Sequence, residues 1–225
     1  MGSTSVFIDE GSINAYADSI KIHLSEFEKR ESLVFSRQDN SFYVTRYSSN
    51  GNPVLYVEQE EGEIGSVKRY FYIDRHHLLL LVEEVFNSFE SPRYLSKREY
   101  YRNDVLFHTD LKSADDEVTF RKAPRKKING NKRDLAEALD NLEKAINREA
   151  EFNLTFEGIT EYPRARYIIL SKNELKSYRA VIRVDKEDDF IRELVSNTEK
   201  YKGSPLNINW VIKDGEAIYE SGKIK

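Results

Sequence analysis

Between residues 33 and 73, four β-rich runs follow one another with only turn signals between them. Leu33-Val34-Phe35 ends at Gln38-Asp39-Asn40. Phe42 to Thr45 ends at a Ser48-to-Pro53 stretch containing Asn50-Gly51. Val54 to Val57 runs into an acidic, glycine-containing turn, and Val67 to Ile73 closes the set. Asn-Gly between β-rich runs is a hairpin signal, here read in a loop longer than two residues. Strands that come in blocks, rather than alternating with helices, point to antiparallel sheets and away from a Rossmann or TIM arrangement.

Helical periodicity surrounds this block. Ser12 is read as an N-cap, followed by Ile13, Tyr16, Ala17, Ile20, Leu24 and Phe27 on one face. Asp74 is read as the cap of a second helix, from about Arg75 to Phe89, whose apolar face carries Leu78, Leu79, Val82, Val85, Phe86 and Phe89. Tyr94-Leu95, Val105 to Phe107 and Val118 to Phe120 read as short strands. In 121–133, seven of thirteen residues are basic and none is acidic, and with Pro124 and Gly130 the segment reads as a linker or exposed loop. A helix from Asp134 to Glu151 follows, then strands at Phe152 to Phe156, Arg166 to Leu170 and Tyr178 to Val184. The chain closes with a helix from Asp185 to Tyr201 and a hairpin across Asp214-Gly215.

The expected fold is therefore α+β: two small units with antiparallel sheets and packed helices, joined by a basic linker. The N-terminal unit is placed at 1–120 (helix, four-stranded meander, helix, short strands) and the linker at 121–133. The C-terminal unit is placed at 134–225 (helix, three strands, helix, hairpin).

Much chemistry is excluded. The 225 residues contain no cysteine, which removes disulfides, thiolate zinc sites and thiol catalysis. Together with a start that does not read as a secretory signal, this suggests a cytoplasmic protein. The longest apolar run, Leu78 to Val82, is five residues, far short of a membrane span. No phosphate loop, dinucleotide fingerprint, Gly-x-Ser-x-Gly or His-Glu-x-x-His occurs. Adjacent His76 and His77 would point about 100° apart on a helix and cannot share a metal as i, i+4 partners do. No cofactor or metal is expected, and no catalytic residue is assigned.

Two weaker signals remain. His108 and Asp110 have the spacing of a base and its orienter. Val6-Phe7-Ile8-Asp9-Glu10 is a strand-like run ending in two carboxylates, the arrangement by which some nucleases hold magnesium. With Gly11-Ser12 it resembles the opening strand of an RNase H-like family, which carries Asp-Glu-Ser-Gly where this chain has Asp-Glu-Gly-Ser. That resemblance implies a metal-dependent nuclease using Asp9 and Glu10.

The strongest feature is charge segregation. Pro92 to Arg133 carries twelve Lys or Arg against six acids in a chain whose net charge is −4. Arg93, Arg98 and Arg102 interleave with Tyr94, Tyr100 and Tyr101, and Arg121, Lys122, Arg125, Lys126, Lys127, Lys132 and Arg133 follow. Basic and aromatic groups together suit phosphate pairing and base stacking, so this segment is the candidate nucleic-acid contact. Glu58, Glu60, Glu61 and Glu63 form an acidic run suited to a basic protein partner.

Residues 42–96 run through a meander, an Asn-Gly-Asn-Pro turn, an aromatic strand, a helix ending in Phe and Ser-Pro. That layout is similar to small bacterial immunity proteins that neutralise secreted toxins, and it implies a binding role. The expected function is a non-enzymatic interaction protein, of immunity, inhibitor or anti-defence type, from a bacterium or phage. Nucleic-acid binding through 93–133 and metal-dependent nuclease activity are the alternatives.

Overall fold

The computed structural model describes residues 9–130, 135–163, 165–172, 174 and 177–223. It overturns the expectation of two small α+β units. Fourteen strands are hydrogen-bonded into one mixed sheet with few helices. In chain order the strands are β1 (Glu28–Glu31), β2 (Phe35–Arg37), β3 (Asn40–Ser49), β4 (Asn52–Gly62), β5 (Gly65–Asp74), β6 (His77–Asn87) and β7 (Tyr94–Arg102). They continue with β8 (Val105–Ala114), β9 (Lys126–Lys127), β10 (Thr155–Tyr162), β11 (Ala165–Ser171), β12 (Arg179–Val184), β13 (Asn207–Lys213) and β14 (Glu216–Lys223). Pairing runs β10-β11-β12-β2-β3-β4-β5-β6-β7-β8-β9, with β14 parallel to β12 and β13 paired to β14. The helices are α1 (Glu10–Ile22), α2 (Glu117–Lys122), α3 (Leu135–Asn147), α4 (Asp189–Ser196) and α5 (Thr198–Tyr201).

Two compact units divide the chain. Unit 1 takes residues up to Arg30 and Thr45–Leu142. Unit 2 takes Glu31–Val44 and the chain from Glu143 onward.

In unit 1, β4 to β9 form an antiparallel meander, with two-residue turns joining β4 to β5, β5 to β6 and β7 to β8. Asn50 and Gly51, at φ 51° and 78°, make a two-residue turn, shorter than the sequence suggested. Positive φ at both positions gives the turn a twist that matches the flanking strands. Arg75-His76 (φ 48° and 71°) and Asn103-Asp104 (φ 49° and 61°) adopt the same conformation. The expected second helix is instead strand β6. Leu78 to Val82 are all buried because β6 lies between β5 and β7 with both faces covered there. A strand buried on both faces reads as a continuous apolar run, which periodicity cannot distinguish from a helix.

Two further readings change in this unit. Asp9, not Ser12, caps α1: its carboxylate accepts from Ser12 N–H at 2.8 Å. Val118 to Phe120 belong to α2, capped by Asp116 through Thr119 N–H at 2.9 Å. Residues 121–130 are not a free linker. Arg121 and Lys122 end α2, β9 pairs with β8, and Ile128 N–H donates to Thr109 O at 3.0 Å.

Unit 2 buries Leu33, Phe35, Val44, Ala145, Ile146, Leu154, Phe156, Ile168, Leu170, Ala180, Ile182, Ile191 and Leu194. Phe35 and Phe152 rings lie 4.9 Å apart, with Tyr178 stacked 5.0 Å from Phe152. The sequence-read hairpin across Asp214-Gly215 is present as β13 and β14. The expected helix from Asp185 is cut short: Asp185 pairs with Arg183, Asp188 caps α4 through Ile191 N–H, and Asn197 separates α4 from α5.

Candidate interaction site

Cross-strand register sets out one face of the unit 1 sheet in rows. The first row is Leu55, Tyr72, Leu80, Tyr100 and His108, and the second is Val57, Tyr70, Val82, Arg98 and Asp110. The third is Gln59, Lys68, Glu84, Ser96 and Lys112. The fourth is Glu61, Ser66, Phe86, Tyr94 and Ala114. Ile13, Ala17 and Ile20 of α1 pack with Leu55, Tyr72, Leu80 and Tyr100 into the core, where Val57, Tyr70 and Val82 also join. Row three, which is polar, and row four, which mixes polar and aromatic side chains, lie beyond this core.

Where α1 meets β8, the structure brings together three of the four residues considered for chemistry. His108 Nδ1 lies 3.0 Å from Glu10 Oε1, and His108 Nε2 lies 3.8 Å from Asp110 Oδ2. Asp110 also accepts from Arg125 Nη1 at 2.6 Å, and Tyr100 OH lies 3.4 Å from its other oxygen. Arg125 donates to buried Ser96 Oγ at 2.8 Å. This network pins the chain at β9 against β8, and it holds Asp110 in a tight ion pair. Asp9 stands apart from it, and its cap bonds to Ser12 hold its carboxyl below the ordinary value. Among the described residues no group of His, Asp and Glu is arranged to hold a metal. Val6 to Ile8, the run before Asp9, lies outside the described residues.

The basic segment is dispersed in kind. Tyr100 and Tyr101 are buried, so neither ring has a free face for a base. Arg125 is held by Asp110, Arg102 lies 4.8 Å over the Phe107 ring, and Arg121 pairs with Glu117. Arg98 lies on the second row beside Asp110. Arg93, Lys122, Lys126 and Lys127 are exposed, the last two on a two-residue edge strand. Lysines on short edge strands also block edge-to-edge aggregation. Lys132 and Arg133 lie outside the described residues.

The acidic run splits in two. Glu58 and Glu60 are bound to Arg69 at 2.7 and 3.2 Å, with Glu83 completing the cluster at 2.8 Å. Glu61 and Glu63 are exposed at the β4–β5 turn. That turn belongs to a feature no sequence pattern exposed. Ile64, Phe86, Phe89 and Val118 are 75%, 38%, 81% and 66% exposed. Their segments meet at one end of unit 1: Ser88 N–H donates to Ile64 O at 2.9 Å and Ser91 Oγ to Asp115 Oδ1 at 2.7 Å. The Phe86, Tyr94 and Phe120 rings continue the patch at 5.2 and 5.8 Å. Around it Glu61, Glu63, Glu90, Asp115, Asp116 and Glu117 are exposed, against Arg93, Arg121 and Lys122. The sequence signal was present in Phe89 and Val118, but Phe89 falls on the apolar face of the expected second helix and Val118 in an expected short strand, and neither element forms.

Comparison with protein-family models, with curated proteins and with solved structures finds no match. Among the described residues no helix is long and apolar enough to cross a membrane.

Proposed function

We propose that this chain is a non-enzymatic interaction protein, of inhibitor, immunity or anti-defence type. It docks a protein partner on the acid-rimmed apolar end of unit 1. The observation carrying this reading is the exposure of Ile64, Phe86, Phe89 and Val118, four large apolar side chains on segments that hydrogen bonds join at one end of unit 1. Exposed apolar side chains that gather in one place mark interaction surfaces, whereas scattered ones do not. Aromatic anchors within a polar rim are the usual composition of binding hot spots. The excess of carboxylates around this patch selects a partner with apolar anchors flanked by Lys or Arg, and it steers such a partner at low salt.

The test is fluorescence anisotropy with a labelled peptide of about twelve residues alternating Leu and Lys, beside a Leu/Glu counterpart. The Leu/Lys peptide binds and the Leu/Glu peptide does not. Ile64→Ser with Phe89→Ser weakens binding by about tenfold or more, as loss of hot-spot anchors does. Equal binding of both peptides, or an unaltered affinity in the double variant, overturns the reading.

A further inference from the structure

The third and fourth rows of the unit 1 face enclose a groove of about 340 Å³ lined by Gln59, Ser66, Lys68, Glu84, Phe86, Tyr94 and Phe120 among others. It shares three rings with the docking patch and adds cations to them. Lys112 Nζ sits 4.2 Å from the centre of the Phe120 ring, and Lys68 Nζ 5.3 Å from that of Tyr70. Arg98, one row behind, has a buried Nε with no hydrogen-bond partner among the described residues. Burial, then the nearby Arg125 and Arg98, lower the pKa of Lys112 against the opposing pull of Glu84.

From this groove we infer a mononucleotide site: the Phe120, Tyr94 and Phe86 rings receive a planar base, and Lys68 and Lys112 receive its phosphate, with Arg98 one row behind adding positive charge. Gln59, Ser66 and Glu84 supply polar groups for the base edge, and the acceptor oxygens of Glu84 suit an exocyclic amine such as adenine's. Base–aromatic stacking with flanking cations is how single nucleotides are held without a phosphate loop. The volume lies at the lower end of small-molecule sites, which favours one nucleotide over a strand. The groove shares Phe86, Tyr94 and Phe120 with the docking patch, and the two readings are separated by Ile64 and Phe89, which do not line it.

Thermal shift and calorimetry on the full chain test it, with AMP, adenosine, inorganic phosphate and a single-stranded oligoadenylate as probes. AMP at about 1 mM raises Tm by a few degrees, because a ligand of the folded state alone stabilises it. Adenosine and inorganic phosphate each bind about tenfold or more weakly than AMP, since each makes half of the contacts. Lys112→Gln and Lys68→Gln each weaken AMP several-fold with unchanged circular dichroism, whereas Ile64→Ser with Phe89→Ser leaves AMP binding intact. No shift with AMP, inorganic phosphate binding as tightly as AMP, or wild-type affinity in both lysine variants overturns the site. An oligoadenylate that binds more tightly than AMP overturns the mononucleotide in favour of a strand.

Discussion

At the scale of single residues, the chain uses its most suggestive chemistry for structure. Asp9 and Glu10 carry the carboxylate pattern of a metal nuclease, but Asp9 caps α1 and Glu10 pairs with His108. Sequence shows that a carboxylate is present. It does not show whether the nearest donor is a backbone amide or a metal, and both interpretations use the same residue. The cap makes a testable pH statement. The bonds from Ser12 hold the folded-state pKa of Asp9 below its ordinary 3.8. Its contribution to stability is therefore complete above the unfolded-state value and is lost as pH falls through the depressed one. Asp9→Ala lowers Tm at neutral pH, and the gap to wild type closes on acidification. Asp9→Asn keeps a capping acceptor without the charge, so it loses less at neutral pH. Thermal unfolding of the three proteins between about pH 7 and pH 3 reads this directly. A gap for Asp9→Ala that stays constant to the acid end sinks the assignment.

Among the elements, hairpin strands were legible wherever turn chemistry was explicit. Asn50-Gly51 and Asp214-Gly215 both announce turns that the structure contains. Arg75-His76 forms the same kind of turn with residues that disfavour positive φ. Without Gly or Asn to mark the break, Asp74 looked like a cap and the four leucines after it looked helical. What decides between strand and helix is the presence of β5 and β7 on either side, a non-local fact. The consequence is specific: Leu80 and Leu81 point to opposite faces of β6, and both are buried. Leu80→Ala and Leu81→Ala each cost about 2–5 kcal/mol, the range for a buried leucine that leaves a cavity. Urea unfolding measures both. A cost below about 1 kcal/mol at either position, the range of substitutions on an exposed surface, contradicts a strand buried on both faces.

For the whole molecule, chain order and spatial order diverge, and this is where sequence reading had least purchase. A basic segment with proline and glycine is a natural place to cut a sequence, yet residues 121–130 are held against β8 by Arg125 and Ile128. Unit 2 draws Glu31–Val44 from far upstream. Its core depends on that piece: Leu33, Phe35 and Val44 are fully buried, Phe35 packs on Phe152, and β2 pairs with β12 at Ala180 and Arg179. Losing three buried apolar side chains removes about 5–9 kcal/mol of burial, comparable to the whole stability of a small domain. A fragment beginning at Glu143 therefore has no cooperative thermal transition and binds hydrophobic dye, as chains do that lose specific packing but stay collapsed. Joining Glu31–Val44 to its N-terminus through a flexible glycine-serine linker restores a sigmoidal transition and dispersed amide resonances, because the linker costs only loop-closure entropy. The fragment from Glu143 folding cooperatively alone would show that β2 and its neighbours are dispensable. Failure of the joined fragment would show that unit 2 needs more of the chain than Glu31–Val44.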